Sequence, residues 1–403
     1  MKIRIHTSNF HGKYMKIPRT IATDIKKALI EIPVTALLGP RQCGKTTLVK
    51  MLLQEDPHLM YLDLERPDDM RLLSDPQSFF RLHRDKLLCL DEIQRAPEIF
   101  TVMRAEVDEA DINGRFLILG SASPHLLRQT SETLAGRIRY LEMAPFSQCE
   151  VAMKEKSMRT LWMRGGFPRS YLAESDEASY EWRQDFIRTF LERDIPAMGF
   201  RIPGNTMQRF WRMLAHLNAQ ILNRSKIGQS LGTSYHTVQH HLDILIDSYM
   251  VRSLEPLEVN VKKRLVKSPK IYIRDTGIVH ALSGIRTLRD CMSHPDYGSS
   301  WESFAIENIC SHPHVKKRWQ FFFYSVHSGG EIDLVLDNGR ERIAVEFKVS
   351  SAPDVPQSFL TALTDTGISV AWIVAPVEKM YPAGNGVMVG TPGNFIRFLV
   401  ERD

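Results

Sequence analysis

Cysteine is scarce in this 403-residue chain, and long apolar runs are absent from it. The five cysteines, Cys43, Cys89, Cys149, Cys291 and Cys310, are scattered, odd in number and without the paired spacing of a zinc site. Neither a disulfide framework nor a structural zinc is expected, and a reducing cytoplasm is the simplest home. Nowhere does the sequence approach the roughly 18 consecutive apolar residues of a membrane helix. Residues 1–16 are polar and basic with no apolar signal core. This predicts a soluble protein without a membrane partner, with residues 1–14 an extension or the product of an upstream start. Internal repeats and low-complexity tracts are also missing. Neither charge sign dominates: 52 Lys and Arg face 47 Asp and Glu, a formal +5, which permits a nucleic-acid partner without demanding one. A chain this long exceeds one ordinary core and points to two or three domains.

What the chain does have is a phosphate-binding signature near its front. Gly39, Pro40, Arg41, Gln42, Cys43, Gly44, Lys45 and Thr46 follow the apolar run Val34–Leu38 and lead into a helix-like segment that begins at Thr47. Such glycines let backbone N–H groups turn toward phosphate oxygens, Lys45 reaches the β and γ phosphates, and Thr46 offers its hydroxyl to Mg²⁺. The following helix adds its positive end. Cys43 reads as a small spacer. Residues 87–90 read as a buried parallel strand that ends in Asp91 and Glu92; Asp91 is expected in the Mg²⁺ shell and Glu92 is expected to polarise the attacking water. Another apolar run, 116–119, delivers Gly120 and Ser121 to the same strand ends, where ligands of open α/β sheets bind and where Ser121 would sense the γ-phosphate. Arg137 closes Leu134-Ala135-Gly136-Arg137 just before strand-like residues 138–141. It is either an arginine finger, in its own subunit or across an interface, or a surface ion pair.

Beyond residue 150 the pattern turns mostly helical. Trp182, Phe186 and Phe190 lie four apart and make one apolar helix face, read as core, and Ile195-Pro196 is expected to stop that helix. Segments 225–231 and 236–246 flank the turn Gly232-Thr233-Ser234 in a helix-turn-helix cadence, and 251–254 reads as a strand that starts a wing. The second helix would expose Tyr235, His236, Gln239 and His240 while Val238, Leu242 and Leu245 turn inward. Lys262, Lys263, Arg264, Lys267 and Lys270 then put five positive charges into nine residues, a grip for a phosphate backbone. A solvated charge run, or a winged helix that only joins domains, is the alternative. His236, His240 and His241 are expected to be solvated or to face DNA.

A second polar constellation occupies the last hundred residues. Segment 329–336 reads as a strand and 343–348 as its hairpin partner across Asn338-Gly339. Asp333 then lies beside Glu346, with Lys348 two residues on, and Glu302 joins from an apolar-faced helix. Carboxylates so grouped can share Mg²⁺ while Lys348 steadies a hydroxide or a phosphate; a cross-strand ion pair of Glu346 with Lys348 is the alternative. The arrangement resembles the PD-(D/E)xK nuclease superfamily with its restriction-endonuclease-like fold, with activity retained or lost.

Along residues 18–350 the chain is similar to a prokaryotic family of AAA-type P-loop ATPases fused to a C-terminal domain of unknown function. The marks are the loop with its helix, Tyr61-Leu62-Asp63-Leu64-Glu65, Leu90 with Asp91 to Gln94, Gly120-Ser121, Leu134 to Arg137, Gly165 to Pro168, Leu191-Glu192-Arg193-Asp194-Ile195-Pro196, and Glu331 to Lys348. The resemblance implies an α/β multidomain architecture. An N-terminal extension (1–17) precedes the ATPase domain (18–150), a helical linker region (151–205), a winged-helix domain (206–270) and a nuclease-like α/β domain (271–403). The expectation is an ATPase with ATP and Mg²⁺ as cofactors that remodels or moves on DNA as a homo-oligomer, a ring being the usual form. The alternative is a regulatory or defence-type NTPase switch that binds a protein partner and carries an inactive nuclease-like domain.

Overall fold

The computed structural model describes residues 17–53, 56–121, 134–151, 155–258, 265–327 and 329–402. The expected front-half strands all form: β1 Val34–Leu38, β3 Leu87–Asp91, β4 Phe116–Gly120 and β5 Ile138–Glu142, joined by β2 Leu59–Asp63. They make a sheet in the order β2-β3-β4-β1-β5, parallel throughout. β1 and β4 are buried at every position, because helices cover both faces, and a strand buried on both faces reads as an unbroken apolar run. Val34, Leu88 and Phe116 feed the core on one side, while Leu37, Cys89 and Leu117 feed the core on the other. With one strand direction, the C-terminal ends of β1, β3 and β4 meet at a single edge, and β4 lies between the other two.

The remaining strands form one nine-stranded sheet. They are β6 Gln220–Ile221, β7 Val251–Pro256, β8 Lys270–Ile273, β9 Gln320–Ser325, β10 Glu331–Asp337, β11 Arg342–Phe347, β12 Val370–Val374, β13 Tyr381–Gly384 and β14 Val387–Gly390, in the order β13-β14-β12-β11-β10-β9-β7-β8-β6. β10 and β11 are the antiparallel hairpin expected across Asn338-Gly339. β7 pairs antiparallel with β8 and parallel with β9, so the strands that follow the helix-turn-helix segment continue into the C-terminal sheet, and β8 begins at position 270. A register shift in β10 between Ile332 and Val335 bends the strand around Asp333; such bulges re-aim side chains.

Between the sheets, the helices Asp176–Thr189, Gly204–His216, Arg224–Leu231 and Tyr235–Asp247 enclose a core that includes Phe186, Phe190, Trp211, Leu242 and Leu245. Trp182 stacks on Phe186 with ring centroids 5.3 Å apart, as the aromatic spacing predicts. The helical run ends one residue beyond Pro196, at Ala197. A π-helical turn, Phe190–Asp194, leads directly into Ile195–Ala197; the ladder has already changed partners there, so Pro196 falls in a first turn, where its missing N–H is tolerated. Helix Arg224–Leu231 ends on Gly232 in the left-handed region (φ 66°), and Ser234 caps the next helix by accepting from the Thr237 N–H. Val238, Leu242 and Leu245 turn inward as expected. His241 is buried with them and packs edge-on to Phe210, contrary to the solvated expectation, because 238, 241, 242 and 245 share one helix face. Among the described residues no helix is long and apolar enough to cross a membrane.

Candidate functional site

The loop after β1 is shaped by a close approach: a Cβ at Gly39 would collide with the Met143 carbonyl oxygen, so only glycine fits there. Lys45, 6% exposed, donates from Nζ to the Gly39 and Pro40 carbonyls at 2.8 and 2.9 Å and to Ser121 Oγ at 3.4 Å. The Thr46 hydroxyl donates to Asp91 Oδ2 at 2.6 Å. Ser121 Oγ in turn donates to Glu92 Oε1 at 3.3 Å. Lys45, Thr46, Asp91, Glu92 and Ser121 thus meet at the shared edge of β1, β3 and β4. Glu92 adopts a left-handed backbone (φ 56°), an uncommon state for glutamate that persists where surroundings impose it. Gln42 and Thr47 are exposed around the loop, whereas Gly44 caps the helix Lys45–Leu52. Cys43 is fully buried, and its backbone carbonyl accepts from Arg19 Nη1 at 3.0 Å.

Three partners of the expected residues, Tyr61, Glu65 and Asp194, escaped the sequence reading. The Tyr61 hydroxyl donates to Asp91 Oδ2 at 2.5 Å, and burial, with Asp91 beside it, raises the phenol pKa. Arg41 donates from Nη1 to Asp194 Oδ1 and from Nη2 to Glu65 Oε1, both at 2.5 Å, and lies 3.8 Å from Glu92. Burial works against the Arg41 charge, but Glu92 and Asp194 outweigh it and hold the guanidinium pKa above its ordinary value. Asp194 and Phe190 help to line a cleft beside Ser121, Gln94 and Arg95. Tyr61, Glu65 and Asp194 lie within motifs visible in the sequence; their contacts do not.

Arg137 stands elsewhere. Its carbonyl accepts from the Val34 N–H at the start of β1, so it lies at the N-terminal edge of the sheet, about 16 Å of strand away from the loop. Its guanidinium pairs with Asp108. The direction of β5 excludes an arginine finger in its own subunit and favours the surface ion pair.

In the C-terminal region, Glu302, Asp333, Glu346 and Lys348 do come together, with Lys270 among them. Lys270 Nζ lies 2.8 Å from Glu331 Oε1, 3.0 Å from Asp333 Oδ1 and 3.7 Å from Glu302 Oε1. The Phe347 N–H donates to Asp333 Oδ2 at 3.1 Å, the Tyr272 hydroxyl to Glu302 Oε1 at 2.7 Å, and Lys348 pairs with Glu346 Oε1 at 2.7 Å. Burial, reinforced by Asp333, pushes both the Glu302 and the Glu346 carboxyl up to about 8. Burial opposes the Lys270 charge, yet Asp333 and Glu302 raise its pKa above the ordinary lysine value. Among the described residues no group of three or more His, Cys, Asp or Glu side chains is arranged to hold a metal ion. The expected carboxylates therefore assemble, but around an ammonium group, and they do not fit a Mg²⁺ shell as they stand.

Of the expected DNA-facing residues, Tyr235, His236, His240 and Lys267 are exposed. Tyr235 is braced by Arg224 Nη1, which donates to its hydroxyl at 3.0 Å. Gln239 is half-buried and donates to Asp243 at 2.6 Å. Lys262, Lys263 and Arg264 lie outside the described residues. Lys270 does not belong to an exposed basic run; it is buried in the carboxylate cluster.

Family models match an AAA domain over residues 31–152, a "Domain of unknown function (DUF8612)" over 155–289 and a "Domain of unknown function (DUF4143)" over 297–392. The uncharacterized protein Rv2008c of Mycobacterium tuberculosis (strain H37Rv) is 38% identical over 370 residues, which cover 92% of this chain and 82% of that protein; Mb2031c of Mycobacterium bovis matches to the same extent. Among solved structures, the chain is similar to the Walker-type ATPase PABY2304 of Pyrococcus abyssi, at 14% identity and a TM-score of 0.45, over 65% of this chain and 94% of that one. It is also similar to AMPPCP-bound DnaA of Aquifex aeolicus, at 11% identity and a TM-score of 0.31, over 56% and 86%. The chain belongs to the family of Rv2008c and Mb2031c, with an AAA-type P-loop ATPase domain at residues 31–152.

Proposed function

We propose that this protein hydrolyses ATP with Mg²⁺ and uses nucleotide state to change its hold on DNA. The ATP half is carried by the convergence of Lys45, Thr46, Asp91, Glu92 and Ser121 on one sheet edge. Thr46 and Asp91 would hold Mg²⁺, which supplies positive charge against the phosphates. Lys45, released from the Gly39 and Pro40 carbonyls, would bind the β and γ phosphates. Glu92 would accept a hydrogen bond from the attacking water and polarise it, and Ser121, between Lys45 and Glu92, would register the γ-phosphate.

The DNA half rests on the exposed Tyr235, His236, His240 and Lys267, and on the basic residues Lys262, Lys263 and Arg264, whose cations suit a phosphate backbone. The domains would communicate through the Arg41–Asp194 pair and then through Phe190, whose ring lies 5.1 Å from that of Trp211 in the middle core. Homo-oligomers belong to the same proposal, and there Arg137 would act on a neighbour's nucleotide. A restriction-endonuclease-like C-terminal domain is supported by the hairpin that carries Asp333, Glu346 and Lys348. No cutting step is assigned to it, because Lys270 sits among its carboxylates. That observation favours a second reading, a regulatory NTPase switch for a protein partner with an inactive nuclease-like domain.

ATP turnover measured with and without single-stranded, duplex and four-way DNA separates the two. DNA-stimulated turnover that disappears in Lys45→Ala, together with salt-dependent DNA affinity lost when Lys262, Lys263 and Arg264 become Glu, supports the first. Turnover indifferent to every DNA, with no measurable DNA binding, rejects it and leaves the protein-partner switch.

A further inference from the structure

We infer that Lys270 is the resident cation of the C-terminal carboxylate cluster, so that in the native chain this cluster takes no divalent metal ion and instead fastens the β7–β8 hairpin to the β10–β11 hairpin. The inference is independent of the ATP and DNA readings.

An ammonium group has three N–H donors and no acceptor. Two of the three face acceptors, Glu331 and Asp333, at 2.8 and 3.0 Å, and Glu302 completes the surrounding negative charge at 3.7 Å. The side chain is 5% exposed, and Nζ stands 5.7 Å from the centre of the Phe323 ring, so the charge is enclosed on its apolar side as well. A lysine that had merely drifted into an empty cavity would leave the oxygens otherwise unpartnered. Here one oxygen of each carboxylate is already held by another group: Asp333 Oδ2 by the Phe347 N–H, Glu302 Oε1 by the Tyr272 hydroxyl and Glu346 Oε1 by Lys348.

β8 is built for this contact. Residues two apart on a strand point to the same face, and Lys270 and Tyr272 both reach the cluster from β8, one as a cation and one as a hydroxyl donor. β10 is built for it too, since its irregularity against β9 spans Asp333. Magnesium would need about six oxygens in octahedral array and would have to share Asp333 with an ammonium group in contact with it, where like charges in a poorly solvated site repel strongly. β8 is separated from β10 in the sheet by β7 and β9, so the bond ties strands that are not neighbours.

The test is a Mn²⁺ titration of the full chain without nucleotide, with free Mn²⁺ followed by electron paramagnetic resonance and thermal unfolding recorded in parallel. Every chain carries Asp91→Asn to remove the nucleotide-side ligand. The expected result is that this parent and its Asp333→Asn derivative bind Mn²⁺ indistinguishably. The Lys270→Ala derivative melts lower by about 10 °C, and Mn²⁺ raises its melting temperature while leaving the parent's unmoved. Mn²⁺ bound by the parent and lost on Asp333→Asn overturns the inference, as does a Lys270→Ala chain that melts with the parent. If Lys270→Ala does not fold, the parent and Asp333→Asn titrations decide on their own.

Discussion

Asp91 and Asp333 are buried alike, 4% and 8% exposed, yet their partners differ in charge. Asp91 is bonded by the hydroxyls of Thr46 and Tyr61 and by the Glu92 N–H, none of which carries a charge. Asp333 is bonded by the ammonium of Lys270 and by one backbone N–H. A buried carboxylate with only neutral donors keeps an uncompensated charge and attracts a cation, whereas one against an ammonium group is already neutralised. Grouped carboxylates are therefore a poor guide to a metal site until their donors are known. The sequence shows both groups of acids equally well and says nothing about that difference.

Several substitutions should pull the two sites further apart. Lys270→Ala leaves buried carboxylates without their cation and is expected to cost about 3–5 kcal/mol of stability, read by denaturant titration, with ATP turnover within a few-fold of the parent. Asp91→Asn should do the reverse, lowering turnover about 100-fold or more through lost charge stabilisation while changing stability by only about 1 kcal/mol, because it gives up bonds to neutral groups. If the two variants showed similar losses of stability, the contrast drawn from donor charge would fail. Asp194→Asn probes a third case, in which Arg41 shares its charge among Asp194, Glu65 and Glu92. With other acids remaining, the expected cost is about 1–2 kcal/mol, and nucleotide affinity should change several-fold; an unchanged affinity would detach Asp194 from the nucleotide site.

A further contrast is in pH. Glu302 and Glu346 have folded-state values near 8, above the ordinary 4.5. Their stabilising contribution is whole below about 4.5 and is lost as pH rises through about 8, where both must ionise inside the fold. Denaturation midpoints of the C-terminal region should therefore fall across that window, and Glu302→Gln should flatten the fall.

The loop, the strands around it and the β10–β11 hairpin were legible because each is written in consecutive residues: an apolar run, a glycine spacing, a turn. Arg41 with Asp194 and Lys270 with Asp333 were not, since these partners are 153 and 63 residues apart and no periodicity links them. Lys270 was misread for a related reason. Its neighbours Lys262 to Lys267 gave it the look of a surface charge run, but it is the first residue of a strand whose inward face is polar at that end. His241 was misassigned by residue type, although its place on the 238–245 face marked it as inward. Arg137 was decidable from the sequence in principle, because a residue just before a parallel strand lies at the edge opposite the nucleotide.

The Arg41–Asp194 bond carries a thermodynamic obligation. It joins the nucleotide loop to the π-helical turn Phe190–Asp194 and so to the core beneath the helix Tyr235–Asp247. If nucleotide strengthens or loosens that bond by some factor, then any ligand that prefers one state of the middle region must alter nucleotide affinity by the same factor, since coupling between two binding sites is reciprocal. Titrating nucleotide in the presence and absence of the second ligand measures that factor without knowledge of what the ligand does. A factor of one would mean that the bond holds the chain together without carrying a message.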